Sequence, residues 1–406
     1  MGEDIKKTEN LSDENLSKTQ EPKRKRKKWL IVLISVLCVL LVVIGIPAGI
    51  AVYFVKSNMK YKYNPITEVP EELGFQEVRD ERIINMALFG LDTRNPESFS
   101  GRSDAIMILS VNTGTGKVKL ISVMRDSFVP IDKESGRVYS KINSAYASGG
   151  PVLAIKTLNT IFDLDISEYV SVNLFKLKDI IDVVGGIEVE VTANEVEYLN
   201  SGVRDMCEIL KIDPAPYLVK KSGKQHLDGV QATSYARIRY TSNAEGTRDD
   251  YGRTDRQRYI MEQMFKKVVV MEKSKYVKLV KPIFASCESS LSYSEIFEVA
   301  IDVMSMNPTL GETRVPEYSY LMTSPKTSAG SVVYYDLNFA AKLIHAFIYD
   351  DITPNAYINK NGVEKNNWYL KGFKPPKIEH EDDKKDTAEN ETGKSQAVTE
   401  SKGSKK

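Results

Sequence analysis

From Trp29 to Val55 the chain carries no charged residue, while residues 1–28 are polar, without periodicity, and close on Lys23-Arg24-Lys25-Arg26-Lys27-Lys28. As a helix rising about 1.5 Å per residue, the apolar run reaches roughly 40 Å, more than the ~30 Å hydrocarbon core of a bilayer. It predicts one transmembrane helix over 29–55, with Trp29 and Tyr53 as interfacial aromatics. Six consecutive basic residues precede the run, and only Lys56, Lys60 and Lys62 follow closely. That bias places the N-terminal arm in the cytoplasm and everything after Lys56 outside. A cleaved signal peptide would have an apolar stretch of about 7–15 residues. An uncleaved signal anchor is therefore expected, making this a single-pass cell-membrane protein seated in the lipid bilayer.

Beyond the anchor, residues 56–82 read as a polar extracellular tether, 83–351 as the folded domain and 352–374 as an extension. Residues 375–406 are mostly Lys, Glu, Asp, Ser and Thr. Such a composition buries too little apolar surface to offset its ordering entropy, so disorder is expected there. Inside the folded part, apolar runs alternate with helical periods, which predicts an α/β domain. Strands are expected over 83–91, 105–112, 118–124, 169–174 and 187–191, with a hairpin turn at Thr113-Gly114-Thr115-Gly116. Helices are expected over 151–162, with Pro151 in the first turn, and over 175–184, 254–271, 294–304 and 336–349.

Composition narrows the chemistry. Lys and Arg number 56 against 55 Asp and Glu, a formal charge of +1 that argues against a nucleic-acid binder. Three cysteines exclude a disulfide scaffold and a four-cysteine zinc site; a bond between Cys207 and Cys287 is conceivable but not expected. Three histidines leave little room for histidine-based metal chemistry, and His226 reads as a surface or capping residue. Gly116-Lys117 fails as a P-loop, because Val111 and Val118 stand where Gly and Ser or Thr belong.

Arginine is the unusual residue. The chain has 16 Arg and 40 Lys, yet six Arg and no Lys fall between Arg237 and Arg258. Arginine is preferred where a planar fork holds phosphate through two oxygens. A salt-bridged helix face is the competing reading, with Asp249, Asp250 and Asp255 close by. Strand direction adds a second signal. If 83–91 runs up and 105–112 down, Asp92 and Asp104 share one sheet edge, and the third strand delivers Arg125 and Asp126 there. Arg94 and Arg102 lie in the connection between the first two strands. Two carboxylates completed by phosphate oxygens and water suit Mg²⁺ (or Mn²⁺), although each Asp is also an ordinary turn residue.

Eight blocks of sequence then resemble the LytR–CpsA–Psr (LCP) family of cell-wall enzymes. They are Phe89-Gly-Leu-Asp-Thr-Arg94, Gly101-Arg-Ser-Asp-Ala-Ile-Met107, Ser122-Val-Met-Arg-Asp126 and Lys141-Ile-Asn-Ser-Ala-Tyr-Ala-Ser-Gly-Gly150, followed by Asp182-Val-Val-Gly-Gly186, Leu227-Asp-Gly-Val-Gln-Ala232, Tyr235-Ala-Arg-Ile-Arg239 and Asp250-Tyr-Gly-Arg-Thr-Asp-Arg-Gln257. The resemblance implies a mixed central sheet flanked by helices. It implies transfer of a glycopolymer, of teichoic acid or capsular polysaccharide type, from a polyprenyl-pyrophosphate carrier onto peptidoglycan through a phosphodiester. Carried over block by block, Asp92 and Asp104 are the metal carboxylates. Arg102, Arg125, Arg237, Arg239 and Arg253 hold the pyrophosphate, with Asp250 and Gln257 as polar partners. Asp104, Arg125, Arg237 and Arg239 are those expected to act in the transfer itself. A non-catalytic surface module that binds polyprenyl pyrophosphate or anionic glycans is the alternative. Two departures stand out. Met124 occupies a position where the family usually carries Pro, and the stretch between Arg239 and Asp250 is a few residues longer, which raises the prospect of an extra contact from Arg248.

Overall fold

A computed structural model describes residues 62–362, apart from 76, 94, 96, 273–278, 280–282 and 318–321. The N-terminal arm, the expected membrane span and the polar C-terminal tail lie outside the described residues, as does Arg94. No helix among the described residues is long and apolar enough to cross a membrane.

The chain opens with β1 (Lys62–Tyr63), then β2 (Ile83–Leu91), β3 (Ser103–Asn112) and β4 (Lys117–Val123). A separate hairpin, β5 (Phe128–Lys133) and β6 (Gly136–Lys141), leads into α1 (Asn143–Phe162). Next come β7 (Glu168–Asn173), α2 (Leu174–Val183), β8 (Ile187–Val191), α3 (Ala193–Leu210), β9 (Gly223–Leu227) and α4 (Gly229–Ala236). The last part holds α5 (Asp249–Val269), β10 (Cys287–Ser289), α6 (Tyr293–Ser305), β11 (Thr309–Val315), α7 (Leu337–Ile348) and α8 (Pro354–Asn361).

Seven strands form one mixed sheet in the order β1-β10-β7-β2-β3-β4-β11. The centre is an antiparallel meander in which Leu91 faces Ser103 and Ile106 faces Val123. β7 runs parallel to β2, and β11 parallel to β4. Alternation explains the two covered faces. Ala87, Phe89, Ile106 and Ile108 join Ile155, Leu158 and Phe162 of α1 and Ile344 and Phe347 of α7 in the main core. Val111 and Val118 meet Val303 of α6 on the opposite side, with Phe265 of α5 against them. A second apolar cluster joins α2, the antiparallel β8–β9 pair, α3 and α4, and takes in Ile260 of α5.

Several expectations shift for physical reasons. The helix expected from Pro151 is the second half of α1, because Gly149 and Gly150 depart from helical angles and Pro151 restarts the helix. The preceding turn, which carries Asn143 and Tyr146, lacks an apolar period. β8 is a strand as expected, yet it pairs with β9 outside the main sheet. Helix α5 begins five residues before 254, since its first turn is mostly polar and carries one ring, Tyr251, that packs against the main core. Packing also extends beyond 83–351. Lys62–Tyr63 pairs with β10, Leu73 is buried in the main core, and α8 follows residue 351. Cys207 and Cys287 are both buried and unbonded to each other. Met124 donates its backbone N–H to the Val315 carbonyl at 3.1 Å, extending the β4–β11 pairing by one bond. Proline has no N–H to donate there, so in this chain methionine keeps the edge strand anchored.

Candidate active site

The antiparallel meander brings the end of β2, the start of β3 and the end of β4 to one edge. Gly90 permits this closeness, because a Cβ there would lie 2.9 Å from the Ala105 Cβ. Asp92, Asp104, Arg125 and Asp126 thus share the same end of the sheet, as strand direction predicts. The Arg125 guanidinium is hydrogen-bonded to the Asp104 carboxylate. Its Nε also lies 3.5 Å from Asp250 and 3.8 Å from Asp126.

The arginine-rich segment arrives from two elements. Arg237 caps the C-terminus of α4 and Arg239 follows two residues on. Asp250, Arg253 and Gln257 project from one face of α5, spaced by three and four residues. The long loop between Arg239 and Asp250 leaves and returns to the same place, because the Asp249 N–H donates to the Arg239 carbonyl at 2.8 Å. Asn243 folds the loop by accepting the N–H groups of Glu245 and Thr247. Arg239 Nε therefore reaches Asp250 at 3.2 Å despite the extra residues. Arg248 does not add the contact its position suggested. Its side chain is 64% exposed and pairs with Asp249.

The six clustered arginines divide into two groups. Arg237, Arg239 and Arg253 line a cleft of about 480 Å³ together with Asp92, Asp104, Arg125 and Gln257. Arg237 bridges two carboxylates, with Nε 3.2 Å from Asp92 and Nη1 2.9 Å from Asp205 of α3. Arg253 is 6% exposed and donates to the Asp104 carbonyl at 3.2 Å. Arg256 and Arg258 turn away. Arg256 is fully buried against Glu195, and Arg258 shares Asp255 with Arg314 of β11. Three of the six arginines thus face the cleft, while Arg248, Arg256 and Arg258 pair with carboxylates away from it. Arg102 is exposed and lines a second lobe of about 360 Å³, which shares Asp92, Asp104 and Arg125 with the first.

Electrostatics at the floor are tightly balanced. Burial would raise the Asp250 carboxyl, but a hydrogen bond from Asp126 and the charges of Arg253, Arg125 and Arg239 hold it down at about 2. Its neighbour Asp126 moves up, through burial and the adjacent Asp250, with Lys141 opposing at 2.9 Å. Burial pulls the Arg253 guanidinium down to about 10, assisted by Arg125 and Arg239. Arg125 stays above its ordinary value, because Asp250 and Asp104 outweigh its burial.

Ion pairing leaves hydrogen bonds unmade. The Nε atoms of Arg125, Arg239 and Arg253 and Oδ1 of Asp250 are buried without a hydrogen-bond partner. An unpaired buried donor costs about 1–3 kcal/mol, more when charged. Three guanidinium N–H groups left without a formed hydrogen bond are a donor set suited to a multi-oxygen anion. Asp92 and Asp104 each have one oxygen engaged by an arginine, and both line the two lobes. Among the described residues no group of three or more His, Cys, Asp or Glu is assembled for a metal. Two carboxylates fit a hard cation that takes its remaining ligands from phosphate and water.

The LytR_cpsA_psr family model matches residues 49–338. This chain belongs to that family. It is 30% identical over 285 residues to the polyisoprenyl-teichoic acid–peptidoglycan teichoic acid transferase TagU of Enterococcus faecalis, a match covering 69% of this chain and 85% of that protein. The Bacillus cereus protein of the same name is 27% identical over 277 residues, 68% of this chain and 83% of that one. Among solved structures, TagT bound to LI-WTA matches with a TM-score of 0.53 at 18% identity, over 71% of this chain and 99% of that chain, which shows a shared fold.

Residues absent from the sequence-derived set of LytR_cpsA_psr site residues also line the cleft. Asp205 and Tyr198 come from α3, a helix not among those predicted although Val196, Leu199, Val203, Cys207 and Leu210 keep helical spacing behind a Thr192–Glu195 capping box, and Tyr240 opens the long loop. Lys141 and Asn143 sit within a block that carries the family resemblance, yet nothing in their type alone marked them.

Proposed function

We propose that this LytR_cpsA_psr protein is a membrane-anchored phosphotransferase. It moves a glycopolymer of teichoic acid or capsular type from a polyprenyl-pyrophosphate carrier onto peptidoglycan and leaves a phosphodiester. The observation that carries the reading is the arginine cleft with unbonded guanidinium donors above Asp92 and Asp104. The name of the Enterococcus faecalis relative supports the same chemistry. Phosphoryl transfer depends mainly on positioning and charge neutralisation. Arg237, Arg239 and Arg253 bind the pyrophosphate oxygens and offset charge gathering on the departing phosphate. Arg125 orients Asp104 and faces the same oxygens, Asp250 holds the arginine forks in place, and Gln257 lines the cleft as a further polar partner. Asp92 and Asp104 would hold Mg²⁺ or Mn²⁺, which when bound supplies further neutralisation of phosphate charge.

The test combines the full-length protein in detergent with a lipid-pyrophosphate glycan, peptidoglycan fragments and Mg²⁺, read by mass spectrometry. A phosphodiester-linked conjugate is the expected product. In calorimetry, Mg²⁺ should tighten polyprenyl-pyrophosphate binding to the wild type and lose that effect in Asp104→Asn, since two carboxylates and the substrate share one ion. Equal Mg²⁺ enhancement in both proteins would remove Asp104 from the metal site.

Residues 29–55 are proposed as the anchor, with the catalytic domain outside the cell, on the strength of the basic flank and the uncharged run. Protease added to intact, wall-stripped cells should digest the large domain and spare residues 1–28. Survival of the large domain would reverse the topology.

A further inference from the structure

Asp92, Asp104 and Arg125 form a floor shared by two lobes, and Arg237, Arg239 and Arg253, proposed above to bind the pyrophosphate, line only the first. The first lobe sets three arginines among Leu174, Ile238 and the exposed rings of Tyr198 and Tyr240. The second, about 360 Å³, has no aliphatic or aromatic side chain among the described residues of its lining, which include Thr93, Arg102, Asp126, Lys141 and Asn143. Asn143 is 3% exposed, and its Oδ1 accepts no hydrogen bond from the protein. Its backbone N–H donates to the Arg125 carbonyl at 3.2 Å, which ties it to the residue whose guanidinium forms the floor. A buried, unpaired carbonyl oxygen in a polar lobe is satisfied by a ligand that donates, such as a hydroxyl.

We infer that this second lobe binds the acceptor, a hydroxyl-bearing sugar of peptidoglycan, with Asn143 and Lys141 holding the sugar and Asp126 facing its reactive hydroxyl. The inference rests on the phosphotransferase function proposed above. Incoming and departing oxygens lie roughly in line across phosphorus. With the departing phosphate among Arg237, Arg239 and Arg253, a phosphorus atom over the shared floor turns its opposite side to the second lobe. The acceptor oxygen then bonds to phosphorus, and the P–O bond to the prenyl phosphate breaks, taking its electron pair. The hydroxyl proton passes to Asp126 in its ionised form, which Lys141 favours from 2.9 Å and in which Asp126 no longer donates to Asp250.

The experiment uses the full chain with an uncrosslinked peptidoglycan oligosaccharide as acceptor and a short-chain polyprenyl-pyrophosphate disaccharide as donor. Asn143→Leu should raise the acceptor KM tenfold or more and leave the Kd for polyprenyl pyrophosphate within twofold. Lys141→Met, at a less buried position, should move the same constant in the same direction, so the inference does not depend on one variant folding. A donor Kd that weakens as much as the acceptor KM, or an unchanged acceptor KM in folded variants, would overturn it. If the wild type transfers nothing to peptidoglycan, the proposed function fails on its own. The lobe is then judged by titrating the oligosaccharide into protein saturated with polyprenyl pyrophosphate. No binding, or equal binding to wild type and Asn143→Leu, would sink the acceptor assignment.

Discussion

Replacing Arg256 with leucine should destabilise the folded domain by about 3–5 kcal/mol, the range for breaking a buried ion pair from one side. The Arg256 guanidinium donates to Glu195 at 2.8 Å, to the Ile238 carbonyl at 3.1 Å and to the Thr241 carbonyl at 2.9 Å. Both charged side chains are fully buried. Removing the cation strands an acid in the interior and orphans two backbone carbonyls at once. Glu195 also accepts the Thr192 N–H at the start of α3, so one arginine fastens α3, α5 and the segment carrying Arg237 and Arg239. Urea unfolding, read as a shift in midpoint at constant slope, measures the loss. The double variant Glu195→Leu with Arg256→Leu should recover part of it, because no lone charge remains. A single-variant loss below about 1 kcal/mol, within the range of a surface pair, would show that the pair has little weight in the fold.

The second large effect concerns turnover rather than folding. Arg237→Lys keeps the charge but cannot span Asp92 and Asp205 with one planar group, as the guanidinium does at 3.2 and 2.9 Å. Transfer should fall by tenfold or more, about 1.4 kcal/mol or more in the barrier. The unfolding midpoint should move little, since the side chain is 23% exposed at a cleft wall. Arg239→Lys should behave alike. Here the Nε that lacks a hydrogen bond disappears with the guanidinium, and with it a donor suited to phosphate oxygen. Normal turnover from well-folded lysine variants would reduce these arginines to ordinary surface charge.

Much of this site was legible because it hangs on strand ends. Alternation and turn residues define the meander from Ile83 to Val123, and a meander fixes which residues meet at its edge. Asp92, Asp104 and Arg125 follow from that geometry alone. The arginine cluster was legible as a cluster but not as two populations. Arg253 and Arg256 are three residues apart on one helix, and only the packing of α3 and the 238–241 segment decides which of them meets the cleft. Asp205, Tyr198 and Tyr240 were hidden for the same reason. The apolar face of α3 (Val196, Leu199, Val203, Cys207 and Leu210) keeps helical spacing, but which polar positions beside it reach the cleft is set by its packing on β8–β9 and α4. Asn143 was hidden by a helical turn with no apolar period, ended by Gly149 and Gly150.

The loop from Tyr240 to Arg248 has a consequence for how such a cleft can diversify. Its two ends are clasped by the Asp249–Arg239 backbone bond, so the pairing of Arg239 with Asp250 does not depend on what lies between. Doubling a flexible loop costs only about 0.6 kcal/mol in closure entropy. Length and composition at the exposed tip, 244–246, can thus change while Thr241 and Thr247, bonded to Arg256 and Asp255, and the arginines beneath stay in place. Tyr240, 66% exposed on the cleft wall, shows what the rim can present to a bulky glycan. A rim that changes over a floor that does not would let one phosphate-handling centre serve polymers of different shape, and it marks Glu245–Gly246, the exposed tip, as the place to graft another specificity.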